Sequence, residues 1–503
     1  MKKFFFILLT MLLSVGLSFT KASMVKAYLA YATFNSAEYG PYFETYLSVW
    51  GKSIIYIKNQ QGKYQGKLAI TMLFKQDNII KNYKKYEFLT PELDNLASLD
   101  INFIDQQRFV LPNGNYNFEL ILADANGDSI PLYVTQPIVI DFPLDTVSTS
   151  GIQLIESYSK ATEPTIKTKS GYDLIPHVSN FYSAKTNTIT FYSEIYNTDK
   201  ILGADQKYLI NWFIESFENG KVLNDYSYIK KETTKGVNVI LGEFDISKLP
   251  SGNYNLGIEV HNRENAIIAS NRLFFQRSNP NIQIDMKDVT NLNITNTFVL
   301  NITNRDSLTE YIRSLGPISS EIEKSFVNNQ LASADLTTLQ QYFYNFWKSR
   351  NSTDPTSEWK KYKAEIDKVN NSFSTPIKKG YDTDCGRVYL QYGPPNTIVD
   401  KSFEASPGLL DDANGAVNKG TVPYQIWHYY KVKNQSNVKF VFYNPHFLGN
   451  ELTLLHSNAI GEISNYNWQH ELFRQIRTGD SEDVMSPSNR YFGRSGEEWN
   501  NPY

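Results

Sequence analysis

A single cysteine, Cys385, stands among 503 residues. No internal disulfide can form, so stability has to come from hydrophobic cores. Histidine is also scarce, at six. No His-Glu-x-x-His helix occurs, which removes the defining geometry of a zinc peptidase. Neither a Gly-x-Ser-x-Gly elbow nor a glycine-rich phosphate loop is present. Beyond the N-terminal segment no stretch is apolar for long enough to span a bilayer. Positive charge is not in excess either. Without Lys2, Lys3 and Lys21 in a leader, 46 basic residues face 52 acidic ones, a net charge of −6, so nucleic acid is not an expected partner.

What is present is ordinary globular composition, 41% apolar and 20% charged, enriched in strand-favouring Tyr (34) and Phe (30). Residues 1–22 read as a secretory signal: Lys2 and Lys3, an apolar run from Phe4 to Phe19, then Thr20-Lys21-Ala22. Val25-Lys26-Ala27 is a second acceptable cleavage site. The run is short for an uncleaved anchor, and no cysteine near it offers a lipid attachment point.

Residues 28–147 alternate apolar and polar positions, as in Phe43 to Val49, and predict a β-sandwich. A repeat follows. Leu111-Pro112-Asn113-Gly114-Asn115-Tyr116-Asn117 recurs as Leu249-Pro250-Ser251-Gly252-Asn253-Tyr254-Asn255, about one domain length later. In each copy Pro and Gly make a turn and Tyr opens the next strand, where its hydroxyl can reach back to the backbone. This resembles the tyrosine corner of immunoglobulin-like sandwiches. Residues 148–170 lack periodicity and read as a connection, and 171–278 as a second sandwich. A second linker is expected over 279–305.

Helical signals then take over. Asp306 or Ser307 can cap a helix carrying Leu308, Tyr311, Ile312 and Leu315, and Asp335 can cap the next. Asp354 with Pro355 starts the clearest helix, with Trp359, Tyr362, Ile366, Val369 and Phe373 forming one stripe. Gly380 to Pro395 reads as the joint between these helices and the strands downstream, with Gly380 and Gly386 permitting turns and Gly393-Pro394-Pro395 ending a strand. Strands are expected at Tyr424–Tyr430, Val438–Tyr443 and Glu451–His456, a helix around Trp468, and an extended tail over 490–503. The expected fold is thus two all-β immunoglobulin-like sandwiches followed by an α+β C-terminal domain, residues 306–489.

Several segments together resemble the GWxTD domain of exported bacterial proteins. They are Phe346-Trp347 with Arg350, then Gly380-Tyr381-Asp382-Thr383-Asp384, then Gly386-Arg387 through Tyr389 and Tyr392-Gly393-Pro394-Pro395. Trp427, His456, Gly461, Glu462 and Trp468 continue the match. Tyr381 stands where that family has its name-giving Trp, and Cys385 where a basic residue is usual. The resemblance implies an envelope protein and names no reaction.

The residues offer chemistry only thinly. Cys385 would need a neighbouring base to act as a nucleophile, and a strand-edge thiol is the simpler reading. Asp382-Thr383-Asp384 suits a turn and cap better than a calcium loop, and Asp384 could pair with Arg387. No cofactor or metal is expected. Ser129, Thr146 and Ser307 follow Asp and precede apolar residues, like acceptors of some periplasmic O-glycosylation systems. The tail, with Tyr491, Phe492, Trp499, Pro502 and Tyr503, is a candidate docking segment. The expectation is a non-enzymatic protein of the periplasm or outer membrane, a scaffold or adaptor bound to an envelope partner, its membrane association indirect. A glycan-binding or adhesive surface protein and a hydrolase with its site in the C-terminal domain are the alternatives.

Overall fold

The computed structural model describes residues 25–96, 99, 101–127, 131–280, 282, 293–401, 422–433, 435–445, 451–465 and 468–472. The expected leader, Ser129 and the tail with Tyr491, Phe492, Trp499, Pro502 and Tyr503 lie outside them. The chain divides into two compact units: residues 1–30 with 44–140, and residues 31–43 with 141–503.

β1 (Ala27–Ser36), β2 (Gly40–Trp50) and β5 (Asn102–Val110) form one sheet, in that order, of which residues 31–43 are counted with the second unit. The other holds β3 (Tyr64–Gln76) between β4 (Ile79–Leu89) and β6 (Gly114–Asp124), with β7 (Leu132–Ile140) beyond. Alternation decides which face is buried. Leu68, Ile70, Met72 and Phe74 on β3 are inside and the residues between them lean out. Phe74 meets Phe109 of the opposite sheet with ring centroids 4.8 Å apart. At the turn into β6 the Tyr116 hydroxyl donates to the Pro112 carbonyl at 2.9 Å.

The second unit opens with another sandwich. One sheet orders residues 168–169, β9 (Tyr172–Pro176), β8 (Gln153–Lys160), β10 (Thr188–Tyr196) and β13 (Val237–Asp245). The other orders residues 181–182, β15 (Ile267–Arg277), β14 (Gly252–His261), β11 (Lys207–Ser216) and β12 (Val222–Thr233). Phe191, Ile210, Ile258 and Phe275 lie in its core. Tyr254 repeats the corner, its hydroxyl donating to the Pro250 carbonyl at 3.0 Å.

Residues 148–170, expected as a connection, belong to this sandwich. β8 pairs with both β9 and β10, with Leu154 opposite Phe191. Its pattern hides this, because Gln153, Leu154 and Ile155 are all buried in a row and the five residues after them are all exposed.

Four helices follow: α1 (Arg305–Ser314), α2 (Glu321–Gln330), α3 (Leu336–Arg350) and α4 (Pro355–Phe373). Asn304, one position ahead of the helix, caps α1 in place of the expected Asp306 or Ser307. Ser320 and Glu323 close a reciprocal capping box on α2, a helix the sequence reading passed over. Asp335 and Asp354 cap α3 and α4 as expected, and Trp359, Ile366 and Val369 bury the α4 stripe.

The main correction concerns α5 (Asp384–Tyr392), a helix where strand was expected. Its Val and Tyr content favours strand. Cys385, Val388, Tyr389 and Tyr392 nevertheless recur at helical spacing and pack together on one apolar cluster. Cys385 is therefore a buried helical residue, not a strand-edge thiol. A four-stranded antiparallel sheet completes the fold, ordering β16 (Thr397–Asp400), β17 (Tyr424–Val432), β18 (Gln435–Tyr443) and β19 (Thr453–Ser457). One face carries Trp427, Tyr429, Phe440 and Phe442 against α5. The other carries Ile426, Val441 and Leu455 against α6 (Trp468–Leu472).

Candidate functional site

Gly380 to Pro395 remains the centre of the site, for reasons of close packing. Gly380–Asp382 forms one 3-10 turn. Thr383 then caps α5, accepting from the Gly386 amide at 3.1 Å and donating to the Gly380 carbonyl at 2.7 Å. A Cβ on Gly386 would lie 1.8 Å from the Gly380 carbonyl oxygen, and one on Gly380 would lie 2.2 Å from that of Val369. Neither glycine has positive φ. They serve close backbone approach, Gly380 to α4 and Gly386 to the turn at Gly380, not the turn geometry expected of them. Gly393 does need it: its φ of 83° ends α5, and Pro394 and Pro395 follow, unable to continue a helix.

Arg387 projects from α5 to Glu462, not to Asp384. Its two terminal nitrogens donate to Glu462 Oε1 and Oε2, each at 2.8 Å. Tyr392 adds a 2.9 Å hydrogen bond to Oε1, and Gln391 accepts from Arg387 at 3.0 Å. Asp384 instead accepts from the Leu454 amide at 2.8 Å, which ties the start of α5 to β19. These side chains border a cleft of about 360 Å³. Phe217, Glu218 and Asn253 from the sandwich line it, as do Arg313 and Lys324 from the helices, Tyr381 and Asp382, and Gly461.

Electrostatics at the cleft are uneven. Although Asp382 is exposed, its carboxyl is held above the usual carboxylate range, first by partial desolvation and then by the Glu310 charge. Tyr381 is buried and its phenol is pushed up by desolvation, with Asp382 and Glu310 adding. Burial pushes the Cys385 thiol up as well, and Asp384 adds to it. That is the reverse of what a nucleophilic thiolate requires. No histidine among the described residues lines the cleft, and the described residues contain no cluster of His, Cys, Asp and Glu able to hold a metal ion.

The other motif residues stand in the supporting core. Phe346 and Trp347 are buried on α3. Arg350 lies over the Phe346 ring at 3.4 Å and pairs with Glu323 through bonds of 2.7 and 2.9 Å. Tyr389 is half-buried, and its hydroxyl donates to Glu365 at 3.4 Å. Trp427 is buried and donates to Gln425 at 3.0 Å. His456 stacks on Trp468 with centroids 5.9 Å apart and accepts the Asn465 amide at 3.0 Å through Nδ1. Burial lowers the His456 pKa to about 4. Thr146 and Ser307 are exposed, Ser307 within the first turn of α1.

Glu310, Arg313 and Glu323 were not anticipated from sequence. The Ser320-x-x-Glu323 spacing carried the signal for Glu323. Nothing local signals the other two, which meet Tyr381 and Asp382 only through the fold.

No protein-family model and no curated protein matches the chain. Among solved structures, it is similar to the fibronectin(III)-like modules of Clostridium thermocellum CbhA at 8% identity and TM-score 0.14, covering 48% of this chain and 89% of that one. The FN1–FN3 domains of chicken CNTN1 overlap at 9% identity and TM-score 0.16, covering 51% of this chain and 68% of that one. A calcium binding mutant of Bacteroides uniformis beta-glucuronidase 2 overlaps at 10% identity and TM-score 0.18, covering 46% of this chain. The match spans about a quarter of that enzyme's length, 26%. Likenesses at these TM-scores carry no argument about function.

Proposed function

We propose that the chain is a non-enzymatic exported envelope protein, a scaffold or adaptor that acts through protein contacts at the periplasm or outer membrane. The observation that supports this is the engagement of the motif's chemically able groups in holding the fold. Arg387 clasps Glu462, Asp384 binds the Leu454 amide, Thr383 caps α5 and Cys385 is buried. A motif built this way braces a domain that presents a surface. No helix among the described residues is long and apolar enough to cross a membrane, and the reading places any membrane association with the partner.

The experiment is a pull-down of the tagged full chain from cross-linked envelopes, read by mass spectrometry, alongside the Cys385→Ser variant. The adaptor reading expects the same envelope partner with both chains. A partner or an activity that disappears with the thiol would contradict it.

A hydrolase reading draws on one observation, the raised pKa of Asp382 at a cleft, which is a property a general acid needs. It expects turnover of a hydrolysable substrate that Asp382→Asn abolishes.

A further inference from the structure

The second sandwich has one side where its two sheets end without meeting. β12 terminates one sheet, β13 the other, and each pairs along a single edge, β12 with β11 and β13 with β10. Between these edges lies a cleft of about 470 Å³. Trp212, Tyr228, Gly242 and Phe244 are among the residues that line it. Tyr228 is 52% exposed and packs at a tilt against Trp212, its cross-strand partner, at 4.5 Å between centroids.

The two edges are guarded differently. β12 carries Lys230, Lys231 and Glu232, and its pairing with β11 loses regular register between Phe213 and Glu215, features that discourage further pairing. β13 reads Val-Asn-Val-Ile-Leu-Gly-Glu-Phe-Asp, with no Lys, Arg or Pro. Val237 and Val239 are exposed on it. Among the described residues no backbone group pairs with its outer edge. An open edge without Lys, Arg or Pro, beside an aromatic cleft, is the arrangement into which an extended peptide adds as a strand, main-chain bonds giving affinity and alternate side chains entering the pocket.

Charge narrows the partner. Asp225 and Glu243 are exposed carboxylates on the cleft's rim, whereas Lys230 is held by Glu232 at 2.5 Å. We propose that β13 receives an extended segment of another protein as an added strand, with apolar side chains alternating into the cleft and basic residues meeting Asp225 and Glu243. This surface is separate from the motif cleft and stands whether or not that cleft binds anything.

Hydrogen exchange of the full chain tests it, with the peptide acetyl-Thr-Lys-Val-Trp-Val-Lys-Val-Thr-amide and its counterpart carrying Glu for Lys. The lysine peptide is expected to slow amide exchange across Val237–Asp245 about tenfold or more and to leave exchange of the edge strand β4 in the first sandwich unchanged. Val239→Lys, at an exposed position, abolishes the protection, and Glu243→Lys shifts preference to the glutamate peptide. Four results would overturn the proposal: no protection by the lysine peptide, equal protection by both peptides, protection of the cleft by cellohexaose alone, or protection of β13 by self-association of the chain.

Discussion

Arg387 and Glu462, 75 residues apart, meet in two parallel hydrogen bonds of 2.8 Å. The Glu462 side chain is 7% exposed and that of Arg387 30%, so this bidentate pair is mostly desolvated. Removing one partner leaves a charge stranded. Arg387→Ala is expected to cost about 2–3 kcal/mol in urea unfolding, reduced from a fully buried pair because Arg387 keeps some solvent. A double-mutant cycle with Glu462→Ala should recover a large coupling energy. Additive losses would show that the pair contributes nothing of its own.

The close approach of α5 to the Gly380 turn makes a sharper forecast. Gly386→Ala sets a methyl group 1.8 Å from the Gly380 carbonyl oxygen and should cost about 3 kcal/mol or more, since backbone has to move. Gly316→Ala, where nothing lies within 4 Å of the added carbon, should change stability by no more than about 0.5 kcal/mol. Equal effects at the two positions would contradict the packing described.

Acid acts through His456. The folded pKa of about 4 lies below the ordinary value of 6.5, so the unfolded chain binds the proton first as pH falls. Stability from this group is fully present above about pH 6.5 and is lost progressively towards pH 4, a total of roughly 3 kcal/mol. Urea midpoints of the parent and His456→Gln across that window should converge as pH drops. Parallel curves would remove His456 from the acid response.

Tyr116 and Tyr254 hold equivalent corners, donating to Pro112 and Pro250. Phe in place of either removes one hydrogen bond and should cost about 0.5–1.5 kcal/mol. Denaturation of each variant measures it, and an unaffected Tyr254→Phe would mean the second corner is ornamental.

Much of this was legible in sequence where the signal is local. The α4 stripe, its Asp354 cap and the paired tyrosine corners are periodic or motif-like and formed as expected. α5 was misread because residue type was weighed over spacing: Val388, Tyr389 and Tyr392 favour strands individually but line up at helical intervals with Cys385. β8 escaped because its buried residues are consecutive. The partners Glu462 for Arg387 and Leu454 for Asp384 lie 75 and 70 residues away. Only the tertiary fold brings them together.

The adaptor account stands or falls on association in the envelope. Cross-linking in intact cells, followed by affinity purification of the full chain and quantitative mass spectrometry, tests it most directly. The account predicts one envelope protein recovered in constant proportion to the chain, and recovered again when that protein is the bait. Recovery of the chain alone, with the purified protein hydrolysing a substrate through Asp382, would contradict it.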